Sequence, residues 1–204
     1  MSAFEGLRAT TLCPFAAASK VWVAGPWRSE AGWDWNVEQQ ARELNEFARR
    51  SAAESYHGFA AEVGMGDDAA SFDAVRLTFA HYIRSLARSD ASCAARLAGD
   101  LEAPGWQFEF AGVPMFLNVF APCYPRPHSK YIDTPGSFWV FFQPDGAFDL
   151  CGINSTRTRT KDGIRKAFAD AGMPYDGPQI DRRIEALLYM FPLSPGDPPV
   201  RWWA

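Results

Sequence analysis

The residues best suited to chemistry lie in one stretch, Phe116-Leu-Asn-Val-Phe-Ala-Pro-Cys-Tyr-Pro-Arg-Pro-His-Ser-Lys-Tyr131. An apolar run leads into a loop carrying Asn118, Cys123, Tyr124, Arg126, His128, Ser129, Lys130 and Tyr131. Pro122, Pro125 and Pro127 stiffen that loop, and a stiff loop at a strand end holds side chains in place at little entropic cost. His128 stands in a dense polar cluster, whereas His57 precedes Gly58 in a polar connection and His81 falls inside a helical pattern. Cys123 and His128 suit a thiolate–imidazole pair. They also suit two ligands of a metal with Cys13 or Cys151 as a third, although neither spacing matches a standard zinc site. The same residues read equally as an ordinary polar surface loop. GxGxxG, Walker A, HExxH and GxSxG patterns are all missing, so common nucleotide, zinc-protease and hydrolase chemistries lose sequence support.

The elements that must position this loop follow from periodicity. Residues 11 to 24 alternate small and apolar up to the break at Gly25-Pro-Trp27. Val37, Ala41, Leu44 and Phe47 recur at helical spacing and predict an amphipathic helix ending near Ser51. Gly64 to Asp68 reads as a loop. Phe72, Val75, Phe79, Ile83 and Leu86 predict a second helix. Beyond Pro104-Gly105, Trp106 to Phe110 alternates strictly, and Val113 to Phe120 resumes after Ala111-Gly112, a candidate hairpin. Four prolines keep residues 121 to 136 out of regular structure. Ser137 to Phe142 is almost wholly apolar and predicts a central strand covered on both faces. Pro144-Asp-Gly146 predicts a turn returning as an antiparallel strand over Ala147 to Cys151. Ile164, Phe168 and Ala171 predict a helix leaving at Gly172-Met-Pro174, and Ile180, Ile184 and Leu188 a further stripe. Trp202-Trp203 at the end predicts a tail that packs back. The expected fold is α+β: one domain over 1–204, a central antiparallel sheet with helices before and after it.

Length and composition agree with one domain. The chain has 204 residues, 48% hydrophobic and 22% charged, with 8 Trp and 16 Phe that suit a thick core or an aromatic-lined cavity. A net charge of −4 and a pI near 5.4 disfavour nucleic acid and anionic membrane as partners. No window reaches membrane-spanning length and the N-terminus lacks a leader pattern, so the expected location is cytoplasmic. The four cysteines, Cys13, Cys93, Cys123 and Cys151, are widely spaced and read as reduced thiols.

In order and spacing, these segments resemble the YqcI/YcgG family. An early cysteine stretch is matched by Leu12-Cys-Pro-Phe-Ala16. An Asn-x-x-x-Pro-x-Tyr-x-x-x-His-Ser-Lys/Arg-Tyr/Asn segment is matched by Asn118, Pro122, Tyr124, His128, Ser129, Lys130 and Tyr131. An apolar strand with an Asp-x-Phe turn over 137–149, the pair Ile164-Arg165 and Tyr175-Asp-Gly177 follow. Residues 118–154 and the ending Pro198 to Trp203 most resemble the branch containing the haem-dependent guanitoxin-pathway N-hydroxylase. The resemblance implies haem b as cofactor, and O2 or peroxide used to hydroxylate a guanidino or amino nitrogen of a small arginine-like substrate. With no reductase module in the chain, electrons would come from a separate donor. His128 is the first choice for the axial iron ligand and Cys13 the alternative, since iron takes imidazole or thiolate. Arg126, Lys130 and Arg165 are candidates for the propionates, and Asn118, Tyr124 and Tyr131 for catalytic roles. A guanidinium would want a carboxylate and an aromatic face, for which Glu109, Asp133 and Asp176 with Trp139 or Trp106 are candidates. Two other readings stay open: a haem-binding or gas-sensing module without turnover, and a haem-free enzyme using Cys123 and His128. A homodimer is permitted but not required.

Overall fold

The structure is a computed structural model that describes residues 2–150, 157–172 and 179–204. Its centre is a five-stranded sheet: β1 (Val21–Val23), β2 (Gly58–Gly64), β3 (Phe108–Phe110), β4 (Val113–Phe120) and β5 (Ser137–Pro144), in the order β1-β2-β5-β4-β3. The described helices are α1 (Ala3–Thr10), α2 (Trp33–Arg50), α3 (Phe72–Ala87), α4 (Ala91–Leu97), the short α5 (Ala147–Leu150) and α6 (Arg157–Asp170). The fold is therefore α+β, and none of the described helices is long and apolar enough to cross a membrane.

Period-two alternation divides the strand side chains between two faces. On one face Phe59, Ala61, Val63, Leu117, Val119, Phe138, Val140 and Phe142 are fully buried. They join one core with Val37, Leu44 and Phe47 of α2 and Val75, Phe79, Ile83 and Leu86 of α3. Burial of each such Val, Leu, Ile or Phe side chain contributes roughly 1.5–3 kcal/mol. The outer side of α2 carries Glu38–Arg42 and Glu46–Arg50 pairs at 2.5 and 2.6 Å. Ser71 caps α3 by accepting the Ala74 N–H at 3.3 Å. On the other face lie Ala60, Phe120, Trp139 and Phe141, covered by α1. Phe4 of α1 stacks on Trp139 and Phe141 with centroids 5.5 and 5.4 Å apart. A capping box between Ser2 and Glu5 starts α1.

The hairpin turns on Ala111 (φ +50°) and Gly112 (φ +74°), both left-handed as a two-residue turn between twisted strands requires. Gly172 leaves α6 at φ +71°. The apolar strand β5 is central, between β2 and β4, and residues 121 to 136 contain a single isolated bridge, Ala121 with Tyr131.

Three expectations are corrected. The sheet is mixed, because β1 joins β2 in parallel, with Val21 opposite Gly58. Ala147–Leu150 is a helical turn instead of a returning strand: β2 and β4 occupy both edges of β5, so no edge is left for a hairpin partner. The stripe of Ile180, Ile184 and Leu188 forms turns with a short 3-10 segment, Glu185–Leu188. There the Asp181 carboxylate accepts the Arg183 N–H at 3.0 Å, a local bond that competes with helix. The tail does pack back. Trp202 is buried against Phe79 at 4.9 Å and donates Nε1–H to the Ala186 carbonyl at 2.8 Å.

Candidate functional site

A cavity of about 150 Å³ opens on the face of the sheet that α1 covers; with its open mouth the empty space is about 800 Å³. Each wall follows from a local rule. Alternation along β4 and β5 turns Asn118, Phe120, Phe141 and Gln143 to this face, and Asn118 is paired directly with Phe141. Helix α1 adds Phe4, Leu7 and Arg8 from one stripe. The turn after it adds Thr11, Cys13, Phe15, Ala16 and Ser19, and Val21 comes from β1. His57 enters from the residue before β2, Ser129 and Lys130 from the proline-rich loop, and Phe168 from α6. Gly58 permits the arrangement: an added Cβ would stand 2.1 Å from Cζ of Phe141.

Polar groups are fixed by the backbone around them. Arg8 donates Nε–H to the Ala16 carbonyl at 3.3 Å and an Nη2 hydrogen to the Ser19 carbonyl, which ties the Cys13 turn to α1. Cys13 itself is a free, half-buried thiol. His57 Nδ1 accepts the Lys20 N–H at 3.0 Å, so the neutral ring carries its hydrogen on Nε2. Lys130 is 2% exposed. Its ammonium donates to Asn118 Oδ1 and lies over the rings of Phe120 and Phe191 at 5.1 and 4.6 Å.

Of the site residues expected from sequence, Cys13, Asn118 and Lys130 meet here. The others do not. His128 is buried outside the cavity and both ring nitrogens are used. Nδ1 accepts the Lys130 N–H at 3.0 Å, and Nε2–H donates to the Pro192 carbonyl at 3.1 Å. No lone pair remains to hold an iron, which removes the ground for preferring His128 as axial ligand. Tyr124 stacks on His128 and donates its hydroxyl to the Phe191 carbonyl at 2.8 Å, so both rings clamp the C-terminal segment. Tyr131 packs against the main core and under the exposed Arg126, whose guanidinium is 5.3 Å from its ring and 3.8 Å from Asp133. Arg165 pairs with Asp162 at 3.2 Å and does not line the cavity.

The Cys123–His128 nucleophile is also corrected. Burial pushes the Cys123 thiol up to about 11 and the His128 imidazole down to about 4. A thiolate–imidazolium pair requires both shifts in the opposite direction. For the metal alternative, the described residues contain no group of three or more His, Cys, Asp or Glu positioned for an ion, and Cys151 lies outside them. Of the carboxylates considered for a guanidinium, Glu109 pairs with Arg96 at 2.6 Å and Asp133 faces Arg126. Asp176 lies outside the described residues.

Sequence reasoning missed His57, Arg8 and Phe168. His57 carries no local signal of its own, because the segment that becomes β2, Phe59-Ala-Ala-Glu-Val63, lacks the alternation that marks a strand.

The family model described as the YqcI/YcgG family matches residues 17–181, and the chain belongs to that family. No curated protein and no solved structure matches it.

Proposed function

From that membership and the composition of the cavity, we propose that the chain is a haem-dependent oxygenase that hydroxylates a guanidino or amino nitrogen of a small arginine-like substrate. Haem b would stand at the Cys13 cavity. The observation that carries this reading is that, among the described residues, one thiol, two cations and a set of aromatic rings line one cavity: Cys13, Arg8, Lys130, Phe4, Phe15, Phe120, Phe141 and Phe168.

These residues fit the group in their chemistry. Iron takes a thiolate ligand, and among the described residues Cys13 is the cysteine on the cavity wall. Carboxylates near a protein interior need charge-assisted partners, which Arg8 and Lys130 supply. The cavity's 150 Å³ suits a molecule of about benzene size. A macrocycle would therefore extend into the mouth, within the larger 800 Å³.

Bound haem would supply oxygen transfer to nitrogen, the second atom of O2 leaving as water with two electrons and two protons from a separate donor, or peroxide serving without one. The chain's own residues bind and orient. Arg8 holds the turn that presents Cys13, Asn118 holds the Lys130 ammonium, and the phenylalanine rings give the cavity apolar walls that exclude water.

The test is an absorption spectrum of protein from haem-sufficient cells, before and after dithionite and carbon monoxide, with Cys13→Ala beside the wild type. A Soret band whose reduced-CO peak stands at the long-wavelength thiolate position, and shifts or vanishes in Cys13→Ala, is expected. Protein that stays colourless with added haem would overturn the proposal.

A further inference from the structure

The described residues lining the cavity include Arg8 and Lys130 but no Asp or Glu. That charge balance repels a guanidinium and attracts a carboxylate. Three further features sharpen the match. Lys130 is 2% exposed, so its charge acts in a medium that screens little. Asn118 is 8% exposed and turns Oδ1 toward that ammonium, leaving Nδ2 with no protein partner among the described residues. His57 accepts the Lys20 N–H on Nδ1 at 3.0 Å, so in the neutral ring Nε2–H is a second donor with no such partner. Among the described residues, a lining with two cations, two N–H donors without a protein partner and no acid is complementary to an anion that accepts several hydrogen bonds.

We propose that this cavity holds a carboxylate seat built on the buried Lys130 and Asn118, with His57 and Arg8 on the same wall. Its ligand enters carboxylate first, and any cationic group it carries stays toward the mouth. The carboxylate comes either from a small amino acid or from a haem propionate. The amino-acid arm rests on the substrate class proposed above; the seat itself does not.

The test is calorimetric titration of the purified protein with two matched pairs. The first is L-arginine against agmatine, which keeps the guanidine and lacks the carboxylate. The second is haem against haem dimethyl ester. A preference of tenfold or more for the acid in either pair, lost in Lys130→Met, is expected, and the pair that shows it names the source. If Lys130→Met fails to fold by circular dichroism, His57→Phe takes its place, with the preference reduced severalfold. Equal binding of acid and acid-free partner in both pairs, or no binding in either, would overturn the seat. Failure of haem to bind sinks the haem reading alone, because an arginine preference over agmatine would leave the seat standing.

Discussion

The rings of Tyr124 and His128 lie face to face, 4.3 Å between centroids and 15° between planes, and each donates a hydrogen bond to a carbonyl of the C-terminal segment. Tyr124 takes the carbonyl of Phe191 and His128 that of Pro192. The proline-rich loop thus works as a clamp that holds the tail and, through the Lys130 backbone N–H donated to the His128 ring Nδ1, sets the position of Lys130.

That clamp should be acid-sensitive. Burial, then the Lys130 charge, lowers the His128 imidazole from its ordinary value near 6.5 to about 4. Between those values the unfolded chain binds a proton that the folded one refuses. Stability is therefore complete above about pH 6.5 and falls as pH drops toward 4, by on the order of 3 kcal/mol. His128→Phe keeps the stack but leaves the Lys130 N–H and the Pro192 carbonyl unpaired, at a cost of about 2–4 kcal/mol at pH 7.5. Urea unfolding at pH 7.5 and pH 5 should show a smaller pH difference in the variant than in the wild type. An unchanged difference would remove His128 as the source.

Gly58→Ala should act through one ring. Its Cβ would meet Phe141 Cζ at 2.1 Å and Cε2 at 2.3 Å, and the Phe142 carbonyl at 3.0 Å. Phe141 stacks on Phe4, so the displaced ring must move into the cavity or lift α1. A loss of about 1–3 kcal/mol is expected. In a Phe141→Ala background most of that loss should disappear, a coupling that a double-mutant cycle reads directly. The same cost in both backgrounds would show that the ring approach is not the cause.

Much of the frame was legible in the sequence because its signals are local. The stripe from Phe72 to Leu86 matches α3 (Phe72–Ala87), the dipeptide Ala111-Gly112 marks the hairpin, and the unbroken apolar run from Ser137 identifies the central strand. What was not legible depends on pairing between distant segments. Residues 58–64 are nearly uniform in burial and, apart from Phe59 and Glu62, small or aliphatic, without the alternation that signals a strand; only Glu62 and Gly64 are less than buried. They become a strand because β5 and β1 supply partners on either side.

The same limit explains the site. Asn118 and Lys130 sit in a segment dense with polar residues, and Cys13 in a motif of its own, so each could be singled out. His57 and Arg8 have no local signature. They reach the cavity because the parallel pairing of β1 with β2 sets His57 beside Lys20 and because α1 folds over the sheet. His128 and Tyr124 misled for a physical reason: a polar cluster framed by prolines serves a buried clamp as well as a catalytic loop.

Thiol reactivity offers the last check, since three described cysteines occupy different settings. Cys93 is fully buried and its thiol is pushed up to about 12, first by burial and then by the Asp90 and Glu109 charges. Cys123 is half-buried and pushed up to about 11 by burial. Both are held as thiols at neutral pH, and the thiolate is the reactive form. Cys13 is half-buried on the wall of a cavity open to solvent. Brief iodoacetamide treatment at pH 7.5, read by peptide mass mapping, should therefore alkylate Cys13 at least tenfold faster than Cys93 or Cys123. A ligand seated in the cavity should slow Cys13 and leave the other two unchanged. Equal labelling of Cys13 and Cys93 in folded protein would mean that the turn after α1 does not present this thiol to the cavity.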